Sequence, residues 1–316
     1  MKKANTMTRT VVFAYHNVGV RCLKVLLAHH IEVALIFTHK DNPAEQVWFD
    51  SVAETAADYD IPVITPDDPN TPELLQRIRS LKPDILFSFY YRKMLSLELL
   101  AIAPQGALNM HGSLLPKYRG RVPVNWAIIH GEAETGATLH YMVAKPDAGD
   151  IVAQTAVPIL PDDTAGEVFN KVTLAAELTL HRALPDLLAG RALRLIQDLS
   201  QGHYFSGRKP EDGRIDWSWP AVQIHNLVRA VAPPYPGAFT TINGQSVRIL
   251  RSRIIESNMG FDRMLVPLLE LIGNRLIVHC ADGGLLQILA LDITGVPVIP
   301  TQLANQLGPG PWRLGH

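Results

Sequence analysis

Over residues 11–89 short apolar runs alternate with segments of helical spacing, and this alternation limits the fold more than any other feature of the chain. Residues 11–14, 31–38, 61–64 and 84–89 are apolar runs of strand length, as expected for strands buried on both faces. Val20, Leu23 and Leu27 recur at helical spacing, which predicts a helix over residues 20–30. Further helices are predicted over 49–59 and 71–81, the latter with Thr71 as N-cap and Pro72 at the first helical position. This rhythm implies a parallel sheet covered by helices on both faces. A longer helix is expected over 164–189, ending at Gly190.

The texture changes over residues 201–213, where Gly, Pro and charge predict a linker. Beyond it, a helix is expected over 221–232. Asn243-Gly244 then separates two β-rich runs, a strong hairpin signal. Residues 275–280 and 285–290 flank Asp282-Gly283-Gly284, a second hairpin candidate. Several short strands at such spacing suggest a small barrel or sandwich.

Composition narrows the function. Lys and Arg number 29 against 30 Asp and Glu, a net charge of -1, which is a poor footprint for holding nucleic acid by phosphate neutralisation. Two cysteines, Cys22 and Cys280, provide neither a disulfide framework nor a four-cysteine zinc site. No run of 18 apolar residues predicts a membrane-spanning helix, and no apolar stretch with a cleavage site follows the basic residues 1–9. A cytoplasmic protein without membrane insertion is expected, with residues 1–8 as a loose tail. The turn after the first strand reads Ala14-Tyr15-His16-Asn17-Val18-Gly19. It lacks the glycines that let a backbone approach a pyrophosphate, so NAD is not expected.

The densest polar segment runs from Asn109 to Arg121, after a short strand at residues 107–108. At the carboxyl edge of an open α/β sheet it would lie where ligands bind. Asn109 and His111 alternate, so on a strand both point to one side. An amide donor beside an imidazole suits stabilisation of an oxyanion and proton transfer, and it equally suits a hydrogen-bonded structural pair. Residues 145–150, Lys-Pro-Asp-Ala-Gly-Asp, bring an aspartate that could orient the imidazole and favour its charged form, or form a plain turn.

Asn109-x-His111, the run His111-Gly112-Ser113-Leu114-Leu115-Pro116 with Gly120, and Asp147 36 residues beyond His111 together resemble the folate-dependent formyltransferase family. The likeness continues through Ile215-Asp216-Trp217, His225-Asn226, Arg229-Ala230 and Tyr235-Pro236-Gly237-Ala238-Phe239. It implies a Rossmann-like, mostly parallel α/β domain over residues 9–202, followed by a small β-rich, OB-like barrel domain over 203–316. It implies N10-formyltetrahydrofolate as co-substrate, without metal or NAD, and Asn109, His111 and Asp147 as the catalytic group. Asn109 would donate to the tetrahedral oxyanion. His111, protonated and favoured in that form by Asp147, would supply the proton to the departing folate nitrogen.

Carried over from the family, the pterin would lie against the backbone of Lys93, Met94 and Leu95 and of Val143, Ala144, Lys145, Pro146 and Asp147. Met94 and Leu95 also suit ordinary core packing. Arg121 matches a family substrate contact, and a guanidinium can grip a diphosphate bidentately. Lys117, Arg119, Arg208 and Arg229 are weaker candidates, and any of these cations could equally be a solvated surface charge.

Residues 11–16, 37–43, 87–92 and 115–121 look most like the branch that formylates UDP-4-amino-4-deoxy-L-arabinose in the route to modified lipid A and polymyxin resistance. There the transferase is fused to an NAD-dependent decarboxylase, for which this chain has no room, so a stand-alone transferase is expected. The acceptor expected is therefore a nucleotide sugar, with a homo-oligomer or association with pathway enzymes left open. Methionyl-tRNA formyltransferase and transferases for other nucleotide-linked amino sugars are the alternatives. Against tRNA stands the segment 40–50, with one Lys against Asp41, Glu45 and Asp50. Residues 201–316 carry only ten Lys and Arg against eight Asp and Glu. A metal-dependent hydrolase using His111, His130 and His140 lacks any ligand-spaced histidine pair.

Overall fold

The computed structural model describes residues 7–43, 47–255 and 266–314. Most of the expected N-terminal tail, residues 1–6, lies outside them, as do residues 44–46 of the acidic segment. The chain forms two compact units. One comprises Met1–Pro123, Glu134–Val157 and Asn170–Ser206, the other Val124–Ala133, Pro158–Phe169 and Gly207–His316.

In chain order the first 206 residues form β1 (Arg9–Ala14), α1 (His16–Ala28), β2 (Glu32–Phe37), α2 (Val52–Ala57), β3 (Val63–Ile64), α3 (Pro72–Leu81), β4 (Ile85–Phe89) and α4 (Leu97–Leu100). Then follow β5 (Ala107–His111), β6 (Arg119–Gly120), α5 (Pro123–Ile129), β7 (Glu134–Tyr141), β8 (Ile151–Pro158), α6 (Ala165–Leu188) and β9 (Tyr204–Phe205). Seven strands make one sheet in the order β3-β2-β1-β4-β5-β7-β8. The pairs from β3 through β5 are parallel, and β5 with β7 is antiparallel.

The apolar runs of β1 and β4 are buried along their length, as strands covered on both faces require. Phe13 of β1 stands opposite Phe37 of β2, and their rings stack with centroids 4.5 Å apart. With Leu35, Leu86, Leu75 and Ile78 they form one core cluster. Offset stacking adds to the area that such rings remove from water. Thr71 caps α3 by accepting from the Leu74 N–H, with Pro72 in the first turn, as its sequence predicts.

The differences from expectation have local causes. Helix α1 begins at His16, four residues before its apolar periodicity, because His16, Val18 and Gly19 are already buried against the sheet. Helix α2 is shorter than predicted, since Trp48 and Phe49 pack against His16 instead of joining a helical face. Strand β5 runs on through Asn109 to His111, polar residues that carry no strand signal. The predicted linker is not structureless: it contains β9, paired in parallel with β6, and a 3-10 turn at Pro210–Gly213.

The second unit carries α7 (Ala221–Ala230), β10 (Ala238–Ile242), β11 (Gln245–Ile255), β12 (Leu268–Ile272), β13 (Arg275–His279), β14 (Leu285–Ile293), β15 (Val296–Pro297), α8 (Leu303–Leu307) and β16 (Trp312–Arg313). The sheet order β10-β11-β14-β13-β12-β16 gives a nearly closed, antiparallel, barrel-like sheet. Its core includes Trp217, Ile224, Leu276, Leu286 and Trp312. The buried carboxylate of Asp292 is gripped bidentately by Arg248, at 3.0 Å from Nε and 2.7 Å from Nη2.

Both expected hairpins form, β10–β11 and β13–β14. In the first, Ile242 pairs with Gln245 across Asn243 and Gly244, whose φ values are 48° and 77°. Two positive φ values are the signature of a type I′ turn, whose twist suits a hairpin. Gly244→Val places a β-branched residue in the left-handed region, which costs about 1–2 kcal/mol. A urea midpoint lowered accordingly is expected for the variant; an unchanged midpoint contradicts this account of the turn.

Candidate active site

The site is laid out on one face of β5. Side chains of a strand alternate between faces, so Asn109 and His111 share one. In the antiparallel pairing of β5 with β7, Asn109 stands directly opposite His140, which brings the second imidazole onto the same face. Asn109 Nδ2 lies 3.2 Å from His140 Nε2, and His140 Nδ1 lies 2.9 Å from the Tyr141 carbonyl. A carbonyl oxygen only accepts, so a proton sits on His140 Nδ1, while Nε2 accepts from the Asn109 amide when the ring is neutral and donates toward Asp147 when it is charged. The second amide hydrogen of Asn109 is then not spent on His140.

The connection from β7 to β8 folds over this face and delivers Asp147. Its Oδ1 lies 3.6 Å from His111 Nδ1 and 3.5 Å from His140 Nε2. Its Oδ2 accepts from the Gly120 N–H at 2.9 Å. Asp147 itself has a φ of 53°, the left-handed region. Gly120 has a φ of 97°, and a Cβ there would collide with the Phe205 carbonyl, so only glycine presents its N–H to the carboxylate in this way.

Burial favours the neutral form of Asp147. The positive charge of His111 opposes it, as do hydrogen bonding and charge at His140 and the Gly120 N–H. Together these hold the carboxyl well below the usual carboxylate range. The group is therefore an anion throughout the neutral range.

His111 is buried, and its Nε2 lies 2.8 Å from the Tyr118 carbonyl, so Nε2 bears a proton while Nδ1 faces the carboxylate. The Tyr118 carbonyl is aimed by a turn pinned from several sides. Ser113 Oγ donates to the Lys117 carbonyl at 2.6 Å, Thr138 Oγ1 donates to the Ser113 carbonyl at 2.6 Å, and Gln154 Nε2 donates to the Leu115 carbonyl at 2.9 Å. The Ser-Leu-Leu-Pro run thus fixes the imidazole from behind.

The structure brings Asn109, His111 and Asp147 together. The other expected residues are distributed more widely. Leu95 is buried in the core cluster, the packing role its sequence also allowed. Met94 is 63% exposed, and Lys93 Nζ donates to the carbonyls of Pro66 and Asp67. Val143, Ala144, Lys145 and Pro146 are all exposed. A cavity of about 340 Å³, lined by Leu100, Ala103, Ala107, Met142, Val143 and Arg194, includes only Val143 of the expected pterin contacts.

Arg121 has an exposed side chain, and its N–H donates to the Phe205 carbonyl. Two weaker candidates are committed elsewhere. Arg119 is buried over the Tyr204 ring and donates to the Leu199 and Gly202 carbonyls. Arg229 is buried and bonds to Asn226 and to the carbonyls of Leu160 and Asp163. Arg208 lies over the Trp126 ring and donates to the Asp212 carbonyl, while Lys117 is exposed.

Sequence reasoning missed His140 as a member of this group, since only the β5–β7 register, across 31 positions, places it beside Asn109. It also missed an aromatic rim where the strand order reverses between β1 and β4. His16 and Tyr90 there have positive φ values of 67° and 59°, and such strain gathers at functional sites. The His16 ring stacks on Phe49, and its Nδ1 accepts the Asn17 N–H at the start of α1. Tyr15 donates to Asp41, and His39 stacks on Tyr91 while accepting the Arg92 N–H. Among the described residues no group of three or more His, Cys, Asp or Glu side chains is arranged to hold a metal ion, and no helix is long and apolar enough to cross a membrane.

The formyl transferase family model matches residues 10–184, and a second model, the formyl transferase C-terminal domain, matches residues 208–306. The chain belongs to the formyl transferase family. Solved structures share the fold of this transferase. An N-formyltransferase from Helicobacter canadensis, in complex with folinic acid and dTDP-3-aminofucose, is 23% identical with a TM-score of 0.70, over 90% of this chain and 99% of its own. A 4-N formyltransferase from Francisella tularensis is 21% identical with a TM-score of 0.61, over 74% and 92%. HypX from Aquifex aeolicus, in complex with tetrahydrofolic acid, is 18% identical with a TM-score of 0.63, over 96% of this chain and 48% of its own.

The buried histidines of the rim predict a loss of stability in acid. Burial, and then the charge of Arg92, lowers His16 to about 3. Burial, and then Lys93 and Arg92, lowers His39 to about 4. A histidine lowered in the folded state contributes stability above its unfolded value of about 6.5, and that contribution is lost as the pH falls toward the folded value. Urea midpoints are therefore expected to drop between pH 6.5 and 4. His39→Gln, which can still accept the Arg92 N–H, should flatten that slope. An identical slope in the variant contradicts the assignment.

Proposed function

We propose that this enzyme transfers the formyl group of N10-formyltetrahydrofolate to the 4-amino group of UDP-4-amino-4-deoxy-L-arabinose. The observation that carries the reaction is the convergence of Asn109, His111 and an ionised Asp147 on one face of β5, inside the region matched by the formyl transferase model. The neutral amine attacks the formyl carbon and creates a tetrahedral oxyanion. The Asn109 hydrogen not spent on His140 donates to that oxygen. His111, protonated on both nitrogens, stabilises the same charge and delivers a proton to the folate nitrogen as the carbon–nitrogen bond breaks. The proton lost by the attacking amine restores the imidazolium, and Asp147 balances its charge throughout. The products are the formamide and tetrahydrofolate.

The identity of the co-substrate is supported by the folinic acid and tetrahydrofolic acid of the structural neighbours, and the acceptor class by the nucleotide sugar bound to one of them. UDP-4-amino-4-deoxy-L-arabinose itself rests on the sequence resemblance. Because the Helicobacter canadensis enzyme is complexed with dTDP-3-aminofucose, a different nucleotide-linked amino sugar is the second reading. Arg121, exposed beside the site turn, is assigned to the acceptor diphosphate. Lys93 to Leu95 and Val143 to Asp147 are assigned to the pterin, with backbone groups and the exposed Met94 side chain as the contacting parts.

Formyl transfer measured in parallel with UDP-4-amino-4-deoxy-L-arabinose, a dTDP-amino sugar and methionyl-tRNA tests the acceptor. Turnover of the arabinose substrate alone is expected; efficient turnover of methionyl-tRNA overturns the reading. His111→Ala and Asp147→Asn should each lower kcat by ~10²–10⁴-fold, the usual worth of a positioned proton donor and its partner. Arg121→Ala should raise KM for the nucleotide sugar and leave that for the folate unchanged. Equal effects on both would remove Arg121 from the acceptor site.

A further inference from the structure

We propose that residues 195–205 act as a strap that sets the position of Asp147, with Gln197 and Tyr204 as its positioning residues. The inference rests on the role given above to Asp147. The segment is anchored at both ends. Leu195 exchanges backbone hydrogen bonds with Ile151 at the start of β8, at 2.8 and 2.9 Å. Tyr204 and Phe205 pair as β9 with β6, where the Arg121 N–H donates to the Phe205 carbonyl at 2.9 Å. Between the anchors, Arg119 takes the Leu199 and Gly202 carbonyls, and Gly202 packs so closely on the Pro116 carbonyl that a Cβ would not fit.

From this frame two side chains reach the Asp147 loop. Gln197 is buried, and its Nε2 donates to the Asp147 carbonyl at 3.0 Å and to the Gly149 carbonyl at 2.6 Å. The Tyr204 hydroxyl donates to the Pro146 carbonyl. Three carbonyls within four residues are thus bonded by one distant segment. The backbone of Asp147 holds the left-handed conformation, uncommon for a non-glycine residue, and the bonds from the strap fix it there. The same strap aligns β6, whose Gly120 N–H binds the other oxygen of the carboxylate. Backbone and side chain of Asp147 are therefore referenced to one element.

The charged and titratable groups around Asp147 are His111 on β5, His140 on β7, and Tyr204 on the strap, whose ring lies under Arg119 and Lys145. If the strap positions the carboxylate, loosening it withdraws Asp147 from the two imidazoles and from the Gly120 N–H. The carboxyl then titrates at higher pH.

The test uses the full chain with Gln197→Met, which keeps the side-chain length and removes both donors, and Tyr204→Phe, which removes one hydroxyl. The first readout needs no substrate: 13C NMR titration of aspartate-labelled protein, with Asp147 assigned through Asp147→Asn. The Asp147 midpoint should move up by a unit or more in Gln197→Met and by less in Tyr204→Phe. The second readout is formyl transfer, where kcat should fall about tenfold with KM for the acceptor within twofold, and the acidic limb of the kcat profile should shift upward. An Asp147 midpoint and a pH profile unchanged in both variants overturn the inference. Should Gln197→Met fail to fold, Tyr204→Phe decides alone. If Asp147→Asn retains wild-type turnover, the functional reading fails, whatever the strap variants do. If Asp147→Asn is inactive while the strap variants match wild type, only the strap is wrong.

Discussion

A carboxylate taken out of water must be paired, and the arrangement around Asp147 follows from that requirement. An isolated buried anion would take up a proton, as burial alone would make Asp147 do. Two imidazoles and one backbone N–H reverse the balance, and each reaches the carboxylate from a different strand. His111 comes from β5, His140 from β7 and the N–H from Gly120 on β6. The parallel half of the sheet supplies a rigid floor through Phe13, Phe37 and Leu86, while the antiparallel edge supplies the second imidazole. The fold and the ionisation of one side chain are in this sense a single problem.

Much of this was legible in the residues. The strand–helix rhythm of residues 11–89 gave the parallel sheet, because strands buried on both faces have to be short and apolar. Thr71-Pro72 and Asn243-Gly244 gave their cap and turn through chemistry that acts over two to four residues. The polar pair Asn109 and His111 stood out because nothing in a sheet interior needs them. What escaped the sequence depends on pairing across distance. His140 is an ordinary strand residue until β7 is set against β5. Tyr204 lies in the stretch whose Gly and charge predict a linker and Gln197 just before it, and only the approach of β9 to β6 gives them work. Arg119 and Arg229 misled in the opposite direction. Arginine reads as a surface cation, yet both are buried, with backbone carbonyls or an asparagine amide as partners.

Family membership and geometry contribute different things. The family models establish the class of enzyme, and the neighbours, at 18–23% identity, establish the fold. Neither selects the acceptor. Arg121, the residue proposed for the acceptor, is exposed, whereas His16 and Tyr15 of the aromatic rim are buried. The His16 ring already occupies the start of α1 and satisfies the Asn17 N–H, the kind of group that a helix N-terminus offers to a phosphate elsewhere. In the proposed function, recognition of an acceptor diphosphate is given to a side-chain cation, Arg121.

The direct opposition of Asn109 and His140 has a consequence for how the molecule matures. A slip of one residue between β5 and β7 turns every side chain of one strand to the far face. In a slipped pair the apolar partners would change face, and the amide and the imidazole would be parted as well. Asp147 would then lose one of its two imidazoles, and the anion would lose part of its reason to stay buried. Correct alignment of two neighbouring strands and assembly of the polar group are thus one event. Under the role proposed for Asp147, a chain in the wrong register would lose the support of its carboxylate together with its strand pairing.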